Sequence, residues 1–252
     1  MHARIDFNCD LGEGCGDDAA ILPFVSSANI ACGGHAGDEA TMRATLRLCR
    51  MHGVAAGAHP GYDDREHFGR RPLALARDEI ALLILSQLAR LSALAADEGV
   101  RLTHVKPHGA LYNVAADDRI VAEAIVAAVT DFDPGLVLYG LSGSDLTAAG
   151  EAAGLHVAHE VFAERGYGGS GRLLPRDTPG AVIESLDAAI TQVQRLATRG
   201  EVVADDGRVV ALRADTLCLH GDRADAPAFA RAVRAALEAD GIRVLPFGTD
   251  GQ

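Results

Sequence analysis

Residues 104–113 read HVKPHGALYN and follow Arg101 in a stretch with the pattern of a short β-strand. Because side chains along a strand point alternately to its two faces, His104, Lys106 and His108 lie on one face. A parallel strand that is covered by helices on both sides should be apolar on both faces. Two imidazoles and an ammonium on one face therefore indicate a strand that faces a polar interior.

Two further segments share this pattern. The segment Ile5–Cys9 and the residue after it put Asp6, Asn8 and Asp10 on one face, opposite apolar side chains. The segment Thr216–His220 alternates in the same way. Polar faces from three separate strands can converge only if the strands enclose a common lumen, which favours a closed barrel over an open, doubly wound sheet.

Strand and helix patterns alternate along the chain, which predicts parallel strands joined by right-handed crossovers. The sequence therefore predicts an α/β fold, a seven-stranded (β/α) barrel in a single domain, residues 1–252. A β-hairpin insertion is expected at 201–212, turning at Asp206-Gly207. The predicted strands are Ile5–Cys9, Asn29–Cys32, Val54–Ala58, Leu102–Lys106, Leu136–Tyr139, Leu155–His159 and Thr216–His220, with Ile242–Pro246 as an eighth candidate. The predicted helices are Asp38–His52, Asp78–Glu98, Asp118–Val129, Ser144–Ala153, Pro179–Thr198 and Pro227–Asp240.

Composition argues against several classes of protein. The 252 residues carry a net charge of −12, so the chain lacks the basic surface of a nucleic-acid-binding protein and gains no attraction to an anionic membrane. The five cysteines are scattered without a C-x-x-C motif, which favours free thiols in a reduced, cytoplasmic compartment. The first residues lead into a strand pattern and not into a signal peptide. The most apolar segment, 80–96, is interrupted by Gln87 and Arg90, so it is not expected to span a membrane.

The candidate functional residues lie at or just beyond the predicted strand ends, where a β/α barrel carries its active site. Five of the ten histidines fall there. Ionisable groups from several strands are costly to bring together unless they act on a ligand. The candidates are Asn8, Asp10, Glu13, Asn29, His35, His59, Asp63, Asp64, Lys106, His108, His159, Glu160, Arg165, His220 and Asp222.

Two chemistries fit these residue types. Asp10, His59 and His108 could hold a divalent metal with positions left open for water. Without a metal, Lys106 and a protonated histidine could stabilise an oxyanion, with Asp10 or Glu13 as the base toward water. A thiolate–imidazole pair of Cys32 with a nearby histidine is the less favoured third interpretation, since free cysteines are usually buried as small apolar groups.

A nucleotide site is harder to place, because the chain has neither a Walker motif nor a G-x-G-x-x-G turn. The glycine-rich stretch GYGGSGRLLPR, residues 166–176, could hold a phosphate with Arg172 as the counter-charge, or could be a loop or lid. In FGRRPL, residues 68–73, Arg70 and Arg71 could bind an anion or pair with the nearby aspartates.

Six motifs together resemble the LamB/YcsF family, the A subunits of 5-oxoprolinase. The motifs are DFNCDLGEG, NIACGGHAGD, GAHPGYDD followed by FGRRPL, HVKPHGALYN, EVFAER-x-Y and LHGD, in that order from Asp6 to Asp222. Gly34 departs from the family pattern, which usually has a larger residue before the histidine, and extra room beside His35 is therefore expected. The resemblance implies a barrel related to the glycoside hydrolase/deacetylase group.

The resemblance also implies an activity: cleavage of 5-oxo-L-proline to L-glutamate, coupled to hydrolysis of ATP to ADP and phosphate, together with two partner subunits, B and C. On this interpretation ATP is used with Mg²⁺, and Asp10, Glu13, Lys106 and His108 are the catalytic candidates. The substrate-binding candidates are Asn8, Asn29, His35, His59, Glu160, His220 and Asp222. The phosphate-binding candidates are Arg70, Arg71 and Arg172. Two alternatives stay open, a stand-alone metal-dependent amidase or deacetylase and a non-catalytic subunit that only binds the lactam.

Overall fold

Seven parallel strands close into a barrel in the computed structural model, which describes residues 4–222 and 225–248. Each strand pairs with the next along the chain, and the first pairs with the last to complete the ring. This confirms the closed seven-stranded α/β barrel. The ring strands are β1 (Arg4–Leu11), β2 (Ser27–Ala31), β3 (Ala55–His59), β4 (Leu102–Val105), β5 (Val137–Leu141), β6 (Val157–Phe162) and, after a hairpin, β9 (Thr216–His220).

The hairpin at residues 201–211 is also confirmed. Its strands, β7 (Glu201–Val203) and β8 (Val209–Ala211), pair antiparallel, and Gly207 in the turn has a φ of 81° that favours glycine. The eighth candidate strand is reduced to β10 (Arg243–Val244), which pairs with the first two residues of β1 outside the ring. It extends the sheet at the amino-terminal end of the barrel and does not enlarge the lumen.

Helices connect the strands and cover the outside of the ring. Two short 3-10 helices, Leu22–Phe24 and Arg65–His67, add to them. The α-helices are α1 (Asp18–Ile21), α2 (Glu39–His52), α3 (Arg77–Asp97), α4 (Gly109–Ala115), α5 (Arg119–Phe132), α6 (Asp145–Ala152), α7 (Leu186–Arg199) and α8 (Ala226–Ala239).

The two faces of β1 show why the chain folds this way. Phe7 and Cys9 point outward, are fully buried and belong to the apolar layer between strands and helices. Asp6, Asn8 and Asp10 point into the lumen and are buried as well. Because buried polar groups need partners, the lumen is lined by hydrogen-bonding side chains from several strands.

His104 occupies the middle of the lumen on β4. Its Nε2 lies 2.9 Å from Asn29 Oδ1, and its ring stacks on Tyr139 at a centroid distance of 4.3 Å. Gly57 on the neighbouring strand makes room for the ring, since a Cβ there would lie 2.2 Å from it. Burial lowers the pKa of His104 to about 3, so this histidine is neutral and acts as a structural hydrogen-bonding group.

The start of α7 differs from the predicted helix Pro179–Thr198. The helix begins at Leu186, where the hydroxyl of Ser185 accepts a hydrogen bond from Ala188 N. The residues before it run back along the end of β6, with an antiparallel bridge between Arg165 and Val182. That pairing holds the segment extended and delays the helix.

Among the described helices, α3 alone is long and apolar enough by length and composition to cross a membrane. Its residues Ile84, Leu88 and Leu91 are fully buried, and the helix lies against α5. Core helices of barrels pass the same test, so this composition is weak evidence for a membrane span.

Candidate active site

A cavity of about 450 Å³ opens at the carboxyl ends of the barrel strands. Its floor is formed by charged residues from β1, β3, β9 and the segment after β4. Its upper wall comes from the loop at 172–176, part of the glycine-rich stretch that was a candidate for phosphate binding. The ionisable groups that line it are Asp10, Glu13, His59, Arg70, Lys106, His108, Tyr112, Asp117, Arg165, Arg172, Arg176 and His220.

Lys106 lies at the centre of the floor, and it is the only lysine in the chain. Its Nζ donates to Asp10 Oδ1 at 2.8 Å and lies 2.9 Å from Glu160 Oε1. The Sγ of Cys218 is 3.0 Å away on a third strand. Burial opposes the charge, but the two carboxylates outweigh it and raise the pKa of Lys106 well above its ordinary value.

Three of the expected substrate-binding residues lie beneath this floor. Asn8, Asn29 and Glu160 are fully buried and do not line the cavity. Glu160 accepts hydrogen bonds from Asn8 Nδ2 at 2.9 Å and from Tyr112 Oη at 2.7 Å. Asn29 donates to Asp10 Oδ1 at 2.8 Å. These side chains therefore position Lys106 and Asp10 and are out of reach of a ligand in the cavity.

A second group of side chains meets beside the floor, and we call it the histidine cluster: Glu13, His35, His59 and His108. His108 Nδ1 lies 2.9 Å from His59 Nε2 and 3.5 Å from Glu13 Oε1. His35 Nε2 lies 3.3 Å from the same carboxylate oxygen, and the rings of His35 and His108 stack with centroids 3.5 Å apart. His35 is behind the others and does not line the cavity.

Burial shifts the pKa values in this cluster toward the neutral forms. It lowers the pKa of His35 to about 2 and that of His108 well below its ordinary value. Burial also raises the pKa of Glu13 to about 7. In contrast, the charges of His59 and Lys106 outweigh burial at Asp10 and hold its pKa well below the usual range. The site thus combines an ionised Asp10 with a Glu13 suited to proton transfer near neutral pH.

His220 and Asp222 at the end of β9 each have a defined partner. His220 Nδ1 is hydrogen bonded to the carboxylate of Glu164, and its Nε2 lies 4.0 Å from Asp10 Oδ2. Asp222 accepts a hydrogen bond from Arg70 Nη2 at 2.6 Å. His220 therefore lines the cavity, while Asp222 belongs to a shallower depression next to it.

The arginines differ in how their charge is compensated. Arg70 pairs with Asp222, Arg172 donates to Asp117 at 2.7 Å, and Arg71 is exposed, 3.8 Å from Asp64 and away from the cavity. Two other arginines of the cavity wall make no ion pair with a carboxylate of the described residues. Within the part of the chain that the structure describes, Arg165 donates to the backbone carbonyls of Ala181 and Leu174. Arg176 has no ion pair within the described residues.

Several features of the site escape sequence reasoning. Tyr112 and Phe162 frame Lys106, whose Nζ lies 6.0 Å and 5.4 Å from the two ring centroids. Glu164 orients His220 although 56 residues separate them. The sequence signal that could have identified Glu164 was its position, four residues after Glu160 and next to Arg165. Tyr112, in HVKPHGALYN, gave no signal, because its helix α4 is too short to show a helical period.

At Gly34, His159 and Cys32 the structure differs from what the sequence led us to expect or consider. Gly34 opens no extra room, because the amide of Gln87 fills the space and bonds to both N and O of Gly61. His159 points outward and pairs with Glu151 on α6 at 3.1 Å. Cys32 is buried, donates to Ile30 O, and burial raises its pKa to about 12, so it is not an activated thiol.

Fold and site together define a class: a closed β/α barrel with a charged cavity at the strand ends. A family 4 carbohydrate esterase from Streptomyces lividans shares this fold, with a TM-score of 0.50 at 13% identity, over 96% of this chain and 91% of that one. The LamB/YcsF family model matches residues 5–251. The chain belongs to the LamB/YcsF family.

Two relatives are much more similar. The 5-oxoprolinase A subunit of Bordetella pertussis is 52% identical over 97% of this chain and 99% of that protein. The crystal structure of a lactam utilization protein from Thermus thermophilus superposes with a TM-score of 0.91 at 47% identity, covering 97% of this chain and 100% of that chain. The family resemblance based on the motifs is thereby confirmed.

Proposed function

We infer that the chain is the A subunit of an ATP-dependent 5-oxoprolinase. In this function it cleaves 5-oxo-L-proline to L-glutamate while ATP is hydrolysed to ADP and phosphate, together with partner subunits B and C in the cytoplasm. The name of the Bordetella relative and that of the Thermus protein point to a lactam substrate. The observation that carries the proposal is the floor of the cavity, where Lys106 and Asp10 meet beneath a rim of arginines.

The charges divide the cavity into two parts. At the floor, one ammonium faces the two carboxylates Asp10 and Glu160, so Lys106 has no surplus positive charge. Of its three N–H donors, the one directed at the weak acceptor Cys218 Sγ is the one that a ligand oxygen can take over. At the wall, Arg165 and Arg176 have no carboxylate at ion-pair distance among the described residues, and burial together with Arg176 lowers the pKa of Arg165 to about 10. The lactam is therefore expected at the floor and the phosphate at the wall.

The roles of the residues follow from this division. Lys106 donates to the lactam oxygen as negative charge develops on it. While no metal ion occupies the histidine cluster, Glu13, with its pKa of about 7, takes a proton from the attacking water or returns it to the leaving nitrogen. Transfer of phosphate to the lactam oxygen before the attack would supply the driving force that opening a stable cyclic amide requires. Partner subunits are expected to complete the nucleotide site, since the chain has no Walker motif.

The proposal is tested by mixing the purified chain with subunits B and C, 5-oxoproline, ATP and Mg²⁺, and measuring glutamate and phosphate. We expect the two products in equal amounts and neither one when ATP or a partner is omitted. No glutamate from the complete mixture would refute the proposal. Glutamate released by the chain alone without ATP would instead support the stand-alone amidase, which the histidine cluster favours as second candidate.

The wall arginines give a separate prediction. Replacing Arg176 of the cavity wall by methionine should raise KM for ATP about 10-fold with little change in kcat, because one charge-assisted phosphate contact is lost. Steady-state kinetics of the reconstituted complex would measure this. Arg77→Met, at the exposed start of α3, is the matched control and should leave KM unchanged. An equal effect of both variants would show that only overall charge matters.

A further inference from the structure

The histidine cluster contains two imidazoles whose protonation is fixed by backbone carbonyls. His59 Nδ1 lies 2.8 Å from Lys106 O, and His108 Nε2 lies 2.9 Å from Phe68 O. A carbonyl oxygen only accepts hydrogen bonds, so each of these nitrogens carries the proton. In a metal-binding form, where both rings must be neutral, the other nitrogens, His59 Nε2 and His108 Nδ1, carry lone pairs directed into the cluster.

These two lone-pair nitrogens lie 2.9 Å apart. Two acceptors at that distance repel each other unless a cation lies between them. A single proton would satisfy two atoms, but four potential ligand atoms converge here within 4.8 Å of one another, including those of Glu13 and His35. One shared proton can bridge only two of these four atoms, so the cluster has electron-pair donors left over.

The distances between these atoms suit a metal ion. Metal–nitrogen bonds of about 2.0–2.1 Å in a tetrahedral site place neighbouring ligand atoms about 3.3 Å apart. The observed separations are 2.9 Å between His59 and His108, 3.3 Å between His35 and Glu13, and 3.5 Å between His108 and Glu13. Oδ2 of Asp10 is 3.4 Å from His59 Nε2 and could add a further ligand.

The surrounding chain is organised to hold His108 in this orientation. Phe68, whose carbonyl accepts from His108, has a φ of 55°, and it is the one non-glycine residue with positive φ in the part of the chain that the structure describes. Such a backbone is unfavourable for a bulky residue and is retained where surrounding structure or function demands it. Its aromatic ring also packs edge-on against His35 and His108.

The neighbouring group of Asp10, Cys218 and His220 has ligand atoms at similar spacing but is not a metal site of this kind. Lys106 Nζ already lies 2.8 Å from Asp10 and 3.0 Å from Cys218 Sγ, so a permanent cation fills that position. A metal ion there would be repelled by the ammonium. Among the described residues, the histidine cluster has no such ammonium at its ligand atoms.

We propose that Glu13, His35, His59 and His108 bind a divalent transition-metal ion of the zinc type beside the floor of the cavity. Three imidazoles favour Zn²⁺, Co²⁺ or Ni²⁺ over Mg²⁺, which prefers oxygen ligands, so this ion is distinct from the Mg²⁺ that accompanies ATP. Glu13, His59 and His108 line the cavity, so the ion faces the same space as Lys106. There it can polarise a carbonyl oxygen of the bound ligand.

The test is metal binding by the untagged chain, freed of metal with a chelator. Titration with Co²⁺ should give one equivalent with the intense visible absorption of a low-symmetry site, and Zn²⁺ should displace it while excess Mg²⁺ should not. His59→Gln, His108→Gln and Glu13→Gln should each weaken Co²⁺ binding about 100-fold or more, because each removes a ligand. His52→Gln, at the exposed end of α2, is the control for surface imidazoles and should bind as the wild type does.

Circular dichroism of each variant shows whether it is folded, and Glu13→Gln, in a loop after β1, keeps the test valid if a histidine variant fails to fold. No stoichiometric Co²⁺ or Zn²⁺ binding by the wild type would overturn the proposal, as would unchanged binding in all three variants. Because the titration contains no lactam, nucleotide or partner subunits, this outcome is independent of whether the chain has the 5-oxoprolinase function.

Discussion

Replacing Lys106 by methionine should reduce glutamate formation by the reconstituted complex about 10³-fold and destabilise the chain by about 3–5 kcal/mol. The activity falls because the floor of the cavity loses its donor to the lactam oxygen. The stability falls because Asp10 and Glu160, both buried, lose the ammonium that lies 2.8 Å and 2.9 Å from their oxygens. Product assays and urea unfolding monitored by circular dichroism measure the two effects.

A second variant separates these effects. In Lys106→Met combined with Asp10→Asn, one of the two unpaired charges is removed, and the new amide can keep the bond to Asn29. We expect part of the lost stability to return, while activity stays as low as in the single variant. Arg101→Met, an exposed change at the entrance of the same strand, should alter neither quantity. Recovery of activity in the double variant would contradict the role of Lys106 as donor.

The pKa shifts of Asp10 and Lys106 determine how their ion pair contributes to stability at different pH values. The pKa of Asp10 is lowered, so its contribution is present above about pH 4 and is lost as the pH falls further. The pKa of Lys106 is raised, so its contribution persists up to about pH 10 and is lost only beyond that. The contribution of this ion pair to the stability of the wild type should therefore stay constant from about pH 5 to 9.

Since Lys106 is the only lysine, its charge can be observed directly. Carbon-13-labelled lysine should give one side-chain resonance, which should not titrate below the ordinary lysine pKa of about 10.4. A titration near neutral pH would instead mean that the amine is uncharged in the working enzyme. In that case the ion pair with Asp10 would not exist in solution.

The barrel could be predicted from the sequence because its lumen imposes a period of two on residue polarity. Asp6, Asn8 and Asp10 alternate with apolar residues on β1, and His104 and Lys106 do so along and just beyond β4. Only a closed lumen reconciles polar faces with burial on both sides. The hairpin was predictable for a similar local reason, since Asp206-Gly207 marks its turn.

The depth of each residue within the lumen could not be predicted. Asn8, Asn29 and Glu160 have the same alternation as the cavity residues, yet they lie beneath the floor. Depth depends on the stagger between neighbouring strands, which pairs Asp10 with Asn29 on one side and with His220 on the other. A single sequence carries no direct signal of that register.

Contacts between distant loops were also beyond sequence reasoning. His35 and His108 stack although they lie far apart in the sequence, and the loop that carries Phe68 closes over both rings. The sequence indicated Asp10 as the carboxylate partner of His59 and His108. The structure adds Glu13 and His35 to these two histidines, because the loops after β1 and β2 fold inward over the strand ends.

Replacing Asp6 by alanine should lower the free energy of unfolding by about 3 kcal/mol at neutral pH. Asp6 lies at the amino-terminal end of the lumen, where its carboxylate accepts hydrogen bonds from the hydroxyls of Ser26, Ser27 and Thr216 at 2.6–2.7 Å. Alanine leaves these buried donors without their acceptor. Urea unfolding measures the change, and Asp131→Ala, exposed on α5, should change stability by less than about 0.5 kcal/mol.

The variant Asp6→Asn tests the direction in which Asp6 makes stability change with pH. Burial raises the pKa of Asp6 above its ordinary value of 3.8, so the folded state favours the protonated acid. Its stabilising contribution is complete below that value and declines as the pH rises through the folded-state pKa. Because asparagine does not titrate, the wild type should gain stability relative to Asp6→Asn as the pH is lowered from about 7 toward about 4. A difference that stays flat over this range would mean that the three hydroxyl donors fully offset the cost of burying the charge.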